Sequence, residues 1–147
     1  LVVGAGGLGS PALLYLAAAG VGVIGVIDDD QVDGSNLQRQ IIHTDQRIGM
    51  DKVQSAAVAI KALNPFVSLR PYRRRLDEAI AADLLADYDL VLDGSDNFDT
   101  RYLVNKICAA QGKPLPTRRS GNPYQARCNA LLHGVHRAAP SLTTSLA

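Results

Sequence analysis

The stretch Gly4-Ala5-Gly6-Gly7-Leu8-Gly9 constrains this chain more tightly than any other. It lies between an apolar β-branched run, Leu1-Val2-Val3, and an alanine- and leucine-rich run that reaches Ala19. The first run reads as the end of a buried strand. The second reads as a helix with Pro11 in its first turn and Gly20 at its close. Glycines at such a junction permit a tight turn with positive φ and let the backbone approach a phosphate. The helix that follows aims its unpaired N–H groups and positive dipole end at the same place. A strand, glycine loop and helix in this order predict nucleotide binding on a parallel α/β sheet. A tight turn that holds no ligand is the plainer alternative.

The rest of the chain repeats the alternation. Val21 to Ile27 is strand-like and stops at Asp28-Asp29-Asp30. Asp28 stands about 20 residues beyond the glycine loop, where a carboxylate can accept hydrogen bonds from both hydroxyls of a ribose. Gln31 to Met50 is polar and aperiodic, a loop of a length that is usually functional. Asp51 can cap the next helix, whose apolar face is Val53, Ala56, Ala57, Ile60 and Leu63, and Asn64-Pro65 breaks it. Val67 to Tyr72 is a third strand, Asp77 to Leu85 a short helix, and Asp89 to Leu92 a fourth strand. Asp99 to Ala110 is a helix closed by Gly112, and Lys113-Pro114-Leu115 leads toward a fifth strand. The expected fold is a doubly wound, Rossmann-like α/β sheet, mainly parallel, with helices on both faces. The glycine loop, the aspartates and Asp96-Asn97 all fall at carboxyl ends of strands, so they should meet in one crevice.

Several side chains have a functional and a plain reading. Arg39, in the long loop, could brace phosphates through paired hydrogen bonds; a solvated polar loop is the alternative. Lys52 at a helix start is, taken alone, an ordinary surface lysine. Asp96 could hold Mg²⁺ beside phosphates, whereas Asp and Asn are equally good helix caps. His43 reads as a packing or hydrogen-bonding residue, and Arg73-Arg74-Arg75 as a solvated strand end.

Composition excludes some functions. The net charge of +1 gives no reason to expect nucleic acid or an anionic membrane, and no apolar run reaches spanning length. Cys108 and Cys128 form neither a disulfide framework nor a CxxC pair, so no zinc site is expected in this chain. Low cysteine content and the lack of a secretory leader suit a reducing cytoplasm. All 14 acidic residues fall within 1–115, while 116–147 holds Arg118, Arg119, Arg127 and Arg137 and no acid. Residues 1–115 are therefore expected to form the nucleotide-binding domain. Residues 116–147 are expected to be a poorly ordered, anomalous tail. The start at Leu1, on a strand and without an initiator Met, reads as a domain entered after its beginning, so the sheet is expected to be incomplete at both ends.

Taken jointly, the chain resembles the ThiF/MoeB/HesA family of ubiquitin-activating-type adenylyltransferases. The matching signs are the glycine loop, Ile27-Asp28-Asp29-Asp30, Ser35-Asn36-Leu37-Gln38-Arg39-Gln40, Lys52, Asn64-Pro65 and Asp93-Gly94-Ser95-Asp96-Asn97, in unbroken order from Leu1 to Leu115. The resemblance implies ATP and Mg²⁺ as cofactors. It implies that Gly4, Gly6, Gly7 and Gly9 form the phosphate loop, that Asp28 holds the ribose, and that Asn36, Arg39 and Gln40 contact the ATP. It implies further that Lys52 stabilises phosphate charge, that Asp96 beside Asn97 serves the metal and reaction site, and that Asp30 helps position the metal or the loop. Arg39, Lys52 and Asp96 would carry catalysis. The implied partner is a small ubiquitin-like sulfur carrier of the ThiS/MoaD type ending in Gly-Gly, serving thiamine or molybdopterin synthesis, and the intact family commonly forms homodimers.

The chain departs from that family in three respects. The helices that members carry before the first strand, with an arginine that reaches the neighbouring subunit's site, are expected to be missing here. Pro116-Thr117-Arg118-Arg119 begins a stretch unlike the family's further strands. The paired CxxC motifs that bind structural zinc in many members are not found. Three other functions remain open at this level: a nucleotide- or carrier-binding module without turnover, an NAD(P)-dependent oxidoreductase, and a tRNA-modifying dehydratase of the same superfamily.

Overall fold

The computed structural model describes residues 1–115. Four strands, β1 (Val2–Val3), β2 (Val23–Ile27), β3 (Ser68–Tyr72) and β4 (Leu92–Asp93), form one sheet in the order β3-β2-β1-β4. Every neighbouring pair is parallel. Parallel neighbours need crossover connections, and helices α1 (Gly9–Ala18), α2 (Lys52–Leu63) and α3 (Glu78–Ala86) supply them. Helix α4 (Phe98–Ala110) follows β4.

The pleat sorts the core into two layers. Val2 points to the side of Leu13 and Ala17 from α1 and of Val53, Ala56 and Ile60 from α2. Its neighbour Val3 points to the other side, among Ala81 and Leu85 from α3 and Val104 and Cys108 from α4. Both layers are apolar, which is why the inner strands read as continuous β-branched runs rather than alternating ones. β3 is an edge strand with no buried residue, and it tolerates Pro71 for that reason.

The chain winds outward from β1 to β2 and β3, then returns to place β4 on the other flank of β1. Loops leaving β1 and β4 thus diverge, and a crevice opens at their carboxyl ends.

The boundaries move slightly from those expected. The fourth strand is Leu92–Asp93 rather than Asp89 to Leu92, because its ladder to β1 runs on through Gly94 N–H, which donates to the Val3 carbonyl at 2.8 Å. Asp77 caps α3, its Oδ1 accepting from Ala79 and Ile80 N–H at 3.1 and 3.2 Å. Asp51 does not cap α2 with its side chain; its carboxylate is drawn instead to Arg73 Nε at 3.0 Å. The long loop is not featureless. It holds two short 3-10 turns, Gly34–Asn36 and Asp45–Arg47, and buries Val32, Gln40, Ile42 and His43. Leu115 is buried in the α3/α4 layer and the Pro114 carbonyl accepts from Val91 N–H at 3.4 Å. The expected tail over 116–147, and any fifth strand beyond Leu115, lie outside the described residues.

Candidate nucleotide site

The crevice encloses about 570 Å³ and opens over the carboxyl ends of β1 and β4. Its wall includes Gly4, Gly6, Gly7, Asp28, Asp30, Arg39, Gln40, Lys52, Asp96 and Asn97. Two other expected residues stand behind it. Gly9 packs under the loop, and Asn36 Oδ1 accepts from Arg39 Nη2 at 2.5 Å, steering the guanidinium.

The loop's shape follows from its glycines. Gly4 has a φ of +88°, a conformation that side chains rarely adopt. A Cβ on Gly9 would overlap the Gly4 carbonyl oxygen, so α1 can begin this close to β1 only with glycine there. Gly7 lies against the Arg39 stem, and a Cβ there would meet Arg39 Cγ at 3.4 Å.

Asp28 ties the loop to β2. Its Oδ2 accepts from Ala5 N–H at 2.7 Å and its Oδ1 from Asp30 N–H at 2.9 Å. Burial pushes its carboxyl above the usual range, against the pull of those two amides and of Lys52. Lys52 is not the surface lysine that its position alone suggests. It is 5% exposed, and its Nζ donates to Asp30 Oδ2 at 2.7 Å. Lys52 and Arg39 thus put two cations on a wall shared with Gly4, Gly6 and Gly7 of the glycine loop.

The loop after β4 has its own supports. Asn97 is the cap of α4, its Oδ1 accepting from Asp99 N–H at 2.8 Å. Asp96 is exposed and makes no hydrogen bond among the described residues, which leaves its carboxylate free at the crevice. Arg101 donates through Nε and Nη2 to the Ser95 carbonyl at 2.9 and 2.6 Å. It braces the segment that carries Asp96.

The lining fits a nucleotide. Gln40 is 5% exposed, and its buried Oε1 has no hydrogen-bond partner among the described residues, which leaves an acceptor open to a donor. The two cations and the glycine backbone suit phosphates. Hard oxygen ligands suit Mg²⁺. Asp28, Asp29 and Asp30 bring carboxylate oxygens within 4.8 Å of one another, but Asp28 is engaged by amides and Asp30 by Lys52. Asp29 and Asp96 are therefore the freer carboxylates on the wall among the described residues. Cys108 is buried between α3 and α4, and burial pushes its thiol up, as suits packing rather than nucleophilic or metal chemistry.

Some residues at the site escaped sequence reasoning. Arg74 and Arg75 are exposed just past the end of β3, as expected of a solvated strand end, and also line the crevice, which was not expected. Arg74 also pairs with Asp77 at 3.3 Å. Arg101 gave no signal at all, since an arginine inside a helix has no distinctive spacing.

Comparison with known proteins places this geometry. The model of the ThiF family matches residues 1–130. The chain is 58% identical over 114 residues to a Mycobacterium tuberculosis protein named "Probable adenylyltransferase/sulfurtransferase MoeZ", which covers 78% of the chain and 29% of that protein. It is 51% identical over 115 residues to the sulfur carrier protein adenylyltransferase of Thermus thermophilus, covering 78% of the chain and 42% of that protein. Among solved structures it is similar to the E. coli tRNA N6-threonylcarbamoyladenosine dehydratase TcdA in complex with ATP. That match has a TM-score of 0.75 and 30% identity, and covers 78% of this chain and 47% of that one. The chain thus spans less than half the length of each of these relatives.

Proposed function

This chain belongs to the ThiF family, and from that premise we propose that it carries the nucleotide half of an ATP- and Mg²⁺-dependent adenylyltransferase. Its substrate is the C-terminal glycine carboxylate of a small ubiquitin-like sulfur carrier of the ThiS/MoaD type. The observation that carries this reading is the convergence of Gly7, Asp28, Arg39, Lys52 and Asp96 on one crevice from five separate stretches of chain.

The chemistry joins two anions. A carboxylate oxygen of the carrier attacks the α-phosphorus of ATP, the bond from that phosphorus to the bridging oxygen breaks, and pyrophosphate leaves with the electron pair. Carboxylate and triphosphate repel each other until cations offset their charge. Arg39, held by Asn36, and buried Lys52 supply fixed positive charge that costs no reorganisation during the step. Gly6 and Gly7 present backbone to the phosphates, and Asp28 receives the ribose. Asp96 is the carboxylate for Mg²⁺, whose charge, when bound, further neutralises the phosphates. The acyl-adenylate is then open to sulfur transfer for thiamine or molybdopterin synthesis. A homodimer and a cytoplasmic setting complete this proposal; among the described residues no helix is long and apolar enough to cross a membrane.

One observation favours a second reading. The ATP complex matched in shape belongs to a tRNA-modifying dehydratase. Its identity of 30% is well below the 51% shared with the sulfur carrier adenylyltransferase, and this ranks the carrier reading first.

The test is exchange of labelled pyrophosphate into ATP, with and without a carrier ending in Gly-Gly. Exchange that depends on the carrier and on Mg²⁺ supports the proposal. ATP binding without exchange points to a binding module, and binding of NADH instead of ATP points to an oxidoreductase.

A further inference from the structure

His43 is 5% exposed and does not line the crevice. Its Nε2 lies 2.9 Å from the Ala5 carbonyl oxygen, and its Nδ1 lies 2.9 Å from Ser55 Oγ on α2. A carbonyl only accepts, so Nε2 carries the hydrogen. Arg47 Nη1, which only donates, reaches Ser55 Oγ at 3.3 Å and the Ser55 carbonyl at 2.8 Å. With its one ring hydrogen on Nε2, a neutral His43 can only accept at Nδ1, so the Ser55 hydroxyl donates to it. The donors therefore run one way, from Arg47 through Ser55 and His43 to Ala5.

Ala5 is the residue this chain of bonds serves. It is fully buried, its N–H is given to Asp28 and its carbonyl to His43, with Ser10 Oγ a longer second donor at 3.3 Å. A trans peptide holds its C=O and the next N–H on opposite sides. Fixing the Ala5 carbonyl toward the interior turns the Gly6 N–H the other way, and Gly6 lines the crevice. That N–H makes no hydrogen bond among the described residues.

We propose that His43 is a positioning residue, its neutral imidazole fastening the Ala5–Gly6 peptide to the helix that carries Lys52 and so aiming the Gly6 N–H at the phosphates. Its consequence for catalysis rests on the nucleotide reading above. The neutral form is favoured on balance. Burial, then Lys52 and Arg47, oppose the imidazolium, while the Ala5 carbonyl and Asp28 favour it, and the balance lowers the imidazole below its ordinary range. A second proton, on Nδ1, leaves the Nε2–H bond to Ala5 in place but makes Nδ1 a donor. The Ser55 hydroxyl must then turn away, and the His43 and Arg47 cations share one Ser55 oxygen, which loosens the tie to α2. Nucleotide affinity should then decline as acid finally forces that proton on.

The experiment follows the full chain by NMR through a pH series from about 8 down to about 5, around the ordinary imidazole value. The side-chain nitrogens of His43 and the amide of Gly6 are recorded without ligand, and the Kd for MgATP is measured alongside. The expected result is the Nε2–H tautomer, a Gly6 amide that moves with the His43 titration, and MgATP affinity that falls over the same range. His43→Gln keeps an amide donor without a titration, so its affinity should stay near that of the parent and its pH profile should flatten. His43→Leu should weaken MgATP by about tenfold near neutral pH, as loss of a donor to a buried carbonyl implies. Should His43→Leu not fold, the parent series and His43→Gln decide. An Nδ1–H tautomer, or a Gly6 amide indifferent to His43, overturns the proposal. A Gly6 amide that tracks His43 in a chain that never binds MgATP upholds the positioning role and overturns the nucleotide reading instead.

Discussion

Lys52 and Asp30 form an ion pair of unequal exposure: the lysine side chain is 6% exposed, the aspartate 67%, and Nζ meets Oδ2 at 2.7 Å. The cation is built into the floor of the crevice, and its partner is a carboxylate that water already solvates. A triphosphate can take over such an ammonium at little cost, because the displaced aspartate keeps its hydration. Asp30→Asn should lower stability by about 1 kcal/mol or less, as measured by urea unfolding, since an exposed partner contributes little. Lys52→Met keeps the buried stem and removes the charge. It should fold, yet slow pyrophosphate exchange by about 100-fold or more. Exchange at the parent rate in Lys52→Met would remove the lysine from the mechanism.

Two glycines of one loop should respond in opposite ways to the same methyl group. Gly9→Ala drives a Cβ into the Gly4 carbonyl, which is backbone and cannot yield. Its cost should reach about 3 kcal/mol or more by urea unfolding. Gly7→Ala meets only the flexible Arg39 stem at 3.4 Å, so stability should change by less than about 1 kcal/mol. The methyl stands where phosphate would approach, so MgATP affinity should fall in Gly7→Ala even though the fold survives.

Asp96 and Asn97 are neighbours with separable tasks. Asn97→Ala removes the cap of α4 and should cost about 1 kcal/mol of stability. Asp96→Ala removes a carboxylate that supports nothing among the described residues, so the unfolding midpoint should hold while exchange is lost. Equal loss of stability in the two variants would mean that Asp96 is structural.

The fold was legible because its signals are local. Val2-Val3 and Val23 to Ile27 are β-branched runs that end at a turn, and Val53, Ala56 and Ile60 repeat at helical spacing. The crevice was legible because parallel sheets gather their polar strand ends, which brought the glycine loop, Asp28 and Asp96 together. The contacts that tune the site were not legible, because they join residues distant in the chain. Lys52 reaches across 22 positions to Asp30, and His43 across 38 to Ala5. Asp51 shows the same limit from the other side. It stands where a cap belongs, but Arg73, arriving from the end of β3, takes its carboxylate.

The two tyrosines beneath the sheet give a prediction whose sign is fixed by linkage. Tyr88 Oη lies 2.8 Å from Tyr72 Oη, and Tyr88 packs over Gly25, where no side chain would fit. Burial, then the Tyr72 hydroxyl, push the Tyr88 phenol up to about 12, with Arg70 pulling the other way. The unfolded chain gives up that proton at its ordinary value of 10.0, so above it the unfolded state binds fewer protons than the folded one. Stability from this group is whole below pH 10 and is lost as pH rises toward about 12. Urea midpoints measured across that window should fall in the parent. Tyr88→Phe should fall less, because the phenol that resists ionisation is gone. If both proteins lose stability equally, the alkaline transition belongs to other groups and the Tyr72–Tyr88 contact carries no linkage.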